Sequence, residues 1–243
     1  MENRKVTPLV VVHTLASRFL LLVLMILFAL PILIFILLPK RWQEHRFWYA
    51  MMNFLYYVLL KISFLPITVV GAENIPQEPA VIAANHQSSL DIPLVGSLLK
   101  GFPHVWLATD ELMSSPILRF IIPHIAILIN IRTPITAMRS VIRAIRQMNG
   151  HRKSAIIFPE GGRYTDGKIH DFFRGFVILA KKTGRPVIPV RIYNLDKVYP
   201  PHTFWIYWHR VRVVVGPAMK MQDHETDKQF KDRVYQWFIE QGD

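Results

Sequence analysis

The hydrophobic pattern divides the chain into two apolar runs followed by a long alternating region. From Phe19 to Leu38 every residue is apolar, with Pro31 inside the run and Arg18, Lys40 and Arg41 at its flanks. About 20 such residues suffice to cross a hydrocarbon core. No small-residue cleavage site follows, which argues against a removable signal peptide. A second apolar stretch, Phe47 to Leu65, is rich in aromatics and carries Lys61, a composition suited to a membrane interface. Three readings fit this pair. The first helix spans while the second lies in the interface, or both dip as a hairpin into one leaflet, or the second is a buried core helix. The basic flanks are nearly balanced and do not orient the segment.

From Ile67 onward short β-like runs alternate with helical ones. Ile67–Val70, Ala80–Ala84, Val105–Ala108, Ile125–Ile131, Ala155–Phe158 and Val187–Ile192 read as strands. Phe204–Val215 is strand-like with a turn or bend. Leu94–Leu99 reads as part of a helix. Thr133 to Met148 reads as a clearer one, with Thr133 as N-cap, Pro134 at the first helical position and Gly150 near its stop. Its apolar face is Ile135, Met138, Val141, Ile142 and Ile145. Arg139, Arg143 and Arg146 share another face, either solvated or turned to lipid phosphate. Phe172 to Lys182 is helical and stopped by Gly184. Thr226 to Ile239 closes the chain as an amphipathic helix with capping-box spacing at Thr226 and Gln229. Strands alternating with helices predict one α/β domain.

Composition narrows the class. Of 243 residues 51% are hydrophobic and 19% charged, and the formal charge is +12. That excess favours an anionic partner. No zinc spacing, RNA-binding strand motif or glycine-clamp loop supports nucleic acid, so an anionic membrane surface or a phosphorylated substrate is the better expectation. No nucleic-acid partner is expected. There is no cysteine, which excludes disulfides and thiolate metal sites.

Three segments carry chemistry. Asn85-His86-Gln87-Ser88-Ser89-Leu90-Asp91 follows an apolar strand and precedes a helix. A histidine can take a proton from a substrate hydroxyl, and a carboxylate can fix its tautomer. Residues five apart on one helix point about 140° apart. The pair therefore needs His86 at the strand end and Asp91 in the first helical turn. Alone, His86 is better explained as a structural histidine. Ser88 and Ser89 either cap the helix or offer a nucleophile, though neither lies in a Gly-x-Ser-x-Gly elbow. In Phe158-Pro159-Glu160-Gly161-Gly162-Arg163 the paired glycines bring backbone close to a ligand. Arg163 offers a fork for phosphate, and Glu160 either orients the acceptor's head or holds Arg163. Val187-Ile188-Pro189-Val190 has no reactive side chain and reads as a wall.

In this order the segments resemble the glycerolipid acyltransferase family typified by 1-acylglycerol-3-phosphate acyltransferase. Asn85, His86 and Asp91 match its Asn-His-x4-Asp block. Phe158, Pro159, Glu160, Gly161 and Arg163 match Phe-Pro-Glu-Gly-Thr-Arg, with Gly162 in place of Thr. Val187 to Val190 match the fourth block, and Phe173-Arg174-Gly175 is similar to the family's Phe-Lys-Gly. The second block departs: Asp110 replaces Lys before Glu111-Leu112, Arg119 stands where Gly is common, and Arg132 comes one residue late. A one-residue slip turns a strand side chain to the other face, so Arg132 reaches the site only from a bulge or the strand end. The resemblance covers roughly residues 67–215. It implies a mixed central sheet flanked by helices, with residues 1–65 as a membrane anchor of two apolar helices and 66–243 as the acyltransferase domain. It also implies acyl transfer from acyl-CoA or acyl-carrier protein to the hydroxyl of a lysophospholipid, 1-acylglycerol-3-phosphate first, giving phosphatidic acid. His86 and Asp91 would be catalytic. Glu160, Gly161, Gly162, Arg163 and Arg132 would bind substrate, and backbone N–H groups near the first block would hold the oxyanion. No metal, cofactor or covalent intermediate is implied. The expected location is a membrane, with the catalytic domain on its cytoplasmic side. Acylation of another lysolipid, a membrane-bound serine lipid hydrolase and a non-catalytic lipid-binding protein remain as alternatives.

Overall fold

The computed structural model describes residues 5–75, 77–109, 116–129 and 134–242. Seven strands form one sheet in the order β1-β7-β6-β2-β5-β3-β4. They are β1 Ile67–Val70, β2 Val81–Ala84, β3 His104–Thr109, β4 Ala126–Ile129, β5 Ser154–Ile157, β6 Val187–Tyr193 and β7 Val211–Val215. The five strands from β6 to β4 are mutually parallel. β7 turns back antiparallel to β6, and β1 runs parallel to β7. The sheet is mixed, as expected.

Alternate residues of each inner strand feed two cores. On one face Ile82, Ala84, Trp106, Ile156, Ile188, Val190 and Ile192 pack with Leu94 and Val95 of α4 (Asp91–Leu98). On the other face Val81, Ala83, Ala155 and Ile157 pack under α6 (Pro134–His151), α7 (Gly175–Thr183) and α9 (Asp227–Glu240). Phe176, Phe230 and Phe238 are fully buried there, each contributing about 2–3 kcal/mol of burial. Parallel strands covered on both faces leave their connecting loops at the sheet ends, and the loops after β2 and β5 lie on neighbouring strands.

Differences from the predicted elements have local causes. α6 ends at His151, one residue past Gly150 and so near the expected stop, but it is Arg152 that takes the left-handed turn at φ +48°. Thr133 and the end of the predicted strand at 130–131 lie outside the described residues. α9 has its capping box, Thr226 with Gln229. The segment 204–210 is not a strand, because its backbone is bonded elsewhere. Ile206 N donates to Thr14 Oγ1 at 3.0 Å, and Tyr207 N donates to the Val198 carbonyl at 2.8 Å.

That contact comes from α1 (Pro8–Leu37), a 30-residue helix long and apolar enough to cross a membrane. Its first half carries a polar notch. His13 Nε2 donates to the Ser63 carbonyl at 2.9 Å, and Arg18 donates to Tyr199 Oη at 3.0 Å and to the Phe204 carbonyl at 2.9 Å. After the short α2 (Lys40–Gln43), the second apolar stretch forms α3 (Arg46–Lys61). Its Leu60 joins the α4 side of the core, and Tyr56 Oη accepts from Trp106 Nε1 at 3.0 Å. Lys153, at the start of β5, pairs with Glu44 just before α3. The helix is thus pinned to the sheet by polar bonds as well as apolar packing.

The α3–α4 contact depends on Gly96, where an added Cβ would fall 2.3 Å from the buried Tyr56 ring. Tyr56 cannot swing aside without losing Trp106. Gly96→Ala is expected to cost about 1–3 kcal/mol by overpacking, read as a lowered Tm in detergent with α3 loosened first.

Candidate active site

β2 ends where Asn85 takes over its ladder. The Asn85 side chain donates to the Ile192 carbonyl at 3.0 Å and accepts from Ile192 N at 2.7 Å. A side-chain amide replaces a peptide there, so the main chain can leave the sheet at His86. Asp91 is the first residue of α4 and is fully buried. Its Oδ2 accepts from Gln87 N at 2.6 Å, Ser88 N at 2.7 Å and His86 Nδ1 at 2.6 Å. All three bonds fall on Oδ2, while Oδ1 is buried with no hydrogen-bond partner among the described residues; the charge-assisted bonds and the helix N-terminus offset part of the burial cost. Because Oδ2 only accepts, the His86 proton sits on Nδ1 and Nε2 is the basic nitrogen.

His86 is 12% exposed through its side chain. Its ring stacks on Phe158 with centroids 3.9 Å apart and planes at 6°, and Phe158 stacks on Trp106 at 5.8 Å. At Nε2 it accepts from Arg163 Nε at 3.1 Å. Arg163 is exposed and reaches this position from the turn after β5. Gly161 makes that turn at φ +70°, where a Cβ would lie 2.6 Å from the Phe173 ring. Tyr164 N donates to the His86 carbonyl at 3.0 Å, which ties the two loops together.

Several expectations change. Glu160 does not hold Arg163: it is 3% exposed, and its two oxygens accept from His86 N and His170 N, both at 3.2 Å. Burial pushes its carboxyl up to about 7, against the pull of those two bonds. The N–H groups of His86, Gln87 and Ser88 are spent on Glu160 and Asp91, so the first block does not supply the oxyanion donors from these positions. Ser88 is buried, its hydroxyl donating to the Tyr199 carbonyl at 2.7 Å and accepting from Leu90 N at 3.3 Å. The N-cap of α4 is Leu90. Neither Ser88 nor Ser89 hydrogen-bonds His86, whose ring nitrogens go to Asp91 and Arg163. Arg132 and the second-block residues Asp110, Glu111 and Leu112 lie outside the described residues. Arg139, Arg143 and Arg146 are exposed on α6.

Sequence reasoning gave Asn85 and Phe158 no role, although both stand in the motifs; the signal was their position beside His86 and Glu160. It missed Tyr164 and the Asp166–His170 pair, 2.9 Å apart, with the two rings of Tyr164 and His170 stacked at 3.6 Å. A histidine four residues after an aspartate was the only trace.

The family model described as Acyltransferase matches residues 66–193, more than half the chain. A 1-acyl-sn-glycerol-3-phosphate acyltransferase of Borreliella burgdorferi is 28% identical over 75% of this chain and 74% of its own length. One of Pseudomonas aeruginosa is 29% identical over 61% of this chain and 57% of its own. The crystal structure of the 1-acyl-sn-glycerophosphate acyltransferase PlsC from Thermotoga maritima superposes with a TM-score of 0.77, covering 96% of this chain and 95% of that one at 22% identity, a likeness of fold.

Glu160 generates a pH prediction. Its folded pKa, about 7, lies above the ordinary 4.5. Between those values the folded state keeps a proton that the unfolded chain releases, so stability falls as pH rises through 7. Glu160→Gln removes that slope. Denaturant unfolding at pH 5 and pH 8 is expected to show wild type losing ground to the variant by up to roughly 3 kcal/mol.

Proposed function

The chain belongs to the acyltransferase family, and on that footing we propose that it acylates the free hydroxyl of a lysophospholipid, foremost 1-acylglycerol-3-phosphate. The observation that carries this is a single array: a buried carboxylate fixing Nδ1–H of His86, Nε2 on the opposite side of the ring, and an exposed arginine beside it. The acceptor is the one named by the relatives, and Arg163 is the cation suited to its phosphate.

His86 Nε2 takes the proton of the acceptor hydroxyl as that oxygen attacks the thioester carbonyl. The tetrahedral adduct collapses, the carbon–sulfur bond breaks, and the departing thiolate receives the proton back from the imidazolium. Asp91 keeps the tautomer and offsets the ring's transient charge. The amides of Gly162 and Arg163 enter no hydrogen bond among the described residues, which makes them the donors for the oxyanion. The substrate supplies the nucleophile, so no serine is required. The donor is an acyl thioester of CoA or of a carrier protein. α1 attaches the enzyme to the bilayer, with the catalytic domain on the cytoplasmic side.

Thiol release from acyl-CoA over a panel of lysolipids tests this reading. His86→Ala is expected to lower transfer about 10²- to 10⁴-fold with an unchanged fold, and near-normal transfer by that variant would falsify the assignment. Arg163→Ala is expected to raise the KM for 1-acylglycerol-3-phosphate about 10- to 100-fold.

A further inference from the structure

Both ring nitrogens of His86 are engaged. Asp91 holds Nδ1 and the Nε–H of Arg163 holds Nε2 at 3.1 Å. The basic lone pair needed for proton removal is therefore occupied. Arg163 itself is poorly satisfied. It is exposed, and among the described residues no carboxylate pairs with it. The acids close by are committed: Glu160 to two backbone amides, and Asp166 to His170 and Lys168 N. Its only hydrogen-bond acceptor there is a neutral imidazole, a weak partner for a guanidinium beside what a phosphate offers.

We propose that Arg163 is a latch on the base, covering Nε2 of His86 until the phosphate of the acceptor draws the guanidinium away. The proposal rests on His86 being the base, and it adds how that base is kept silent. A phosphate group accepts two parallel N–H bonds and carries the charge that Arg163 lacks nearby. Exchanging imidazole for phosphate frees Nε2 at the moment the acceptor hydroxyl arrives. The gain is protection of the thioester. With Nε2 bare and no acceptor bound, a water molecule would attack the thioester carbonyl as Nε2 takes its proton. The carbon–sulfur bond would break, the thiolate would recover the proton, and fatty acid and free thiol would be lost to the cell. Breaking a hydrogen bond to a charged donor before each such event slows it about 10- to 100-fold. A cation developing on the ring against the guanidinium is opposed as well. Selectivity for a phosphate-bearing acceptor then acts on kcat, not on affinity alone.

The test is acceptor-free thiol release from palmitoyl-CoA by the full chain in detergent. Wild type is expected near the buffer rate and Arg163→Ala about 10- to 100-fold faster, the excess vanishing in the His86→Ala/Arg163→Ala double variant. Dodecyl phosphate, a single-chain phosphate with no acceptor hydroxyl, is expected to speed hydrolysis by wild type and to leave Arg163→Ala unmoved. A neutral dodecyl maltoside should do neither. A purely structural arginine predicts no response to dodecyl phosphate. The latch is overturned if Arg163→Ala hydrolyses no faster than wild type while still acylating monoacylglycerol, or if dodecyl phosphate leaves wild type unchanged. Either result leaves the acyl-transfer reading intact, since that reading falls only with normal transfer by His86→Ala.

Discussion

A carboxylate removed from water must be surrounded by donors, and the way Asp91 meets that demand shapes the site. One oxygen collects two main-chain N–H groups and the imidazole N–H, so the loop from His86 to Ser88 wraps around the first residue of α4. The wrap fixes the ring's tautomer, its tilt against Phe158 and the direction of Nε2. It also consumes amides that would otherwise face the substrate. Remove the charge, and three donors lose their acceptor together.

Around this centre the neighbouring loop is fastened by a second buried acid. Glu160 joins His86 N to His170 N and so holds the β2 and β5 loops in register. It is an unfavourable place for a charge, as its raised pKa shows. The two carboxylates thus differ in role through surroundings alone. Asp91 sits at a helix N-terminus with three donors on one oxygen, while Glu160 has one amide for each oxygen and no helix behind it.

Much of this fold was legible from short-range signals. Ile67–Val70 stands between Pro66 and Gly71, and the capping box at Thr226 declares α9. What escaped reading depends on residues far apart in sequence. The stretch 204–210 has strand composition, yet its amides are claimed by α1 and α8 (Leu195–Val198). At the site, His86 and Asp91 are five residues apart and their pairing could be argued from strand-then-helix geometry. The Arg163–His86 contact spans 77 residues, and the burial of Glu160 is a property of the packed sheet, so neither could be.

The polar notch of α1 bears on biosynthesis. Thr14 and Arg18 leave the ribosome well before their partners at 199–206, which are made some 190 residues later. During that interval an apolar helix carries polar side chains with no protein to receive them, an expensive state in hydrocarbon. The notch therefore favours a nascent helix that waits at the lipid headgroups, or under a chaperone, until the C-terminal third arrives. The seating of α1 thus depends on completion of the domain that receives its polar side chains.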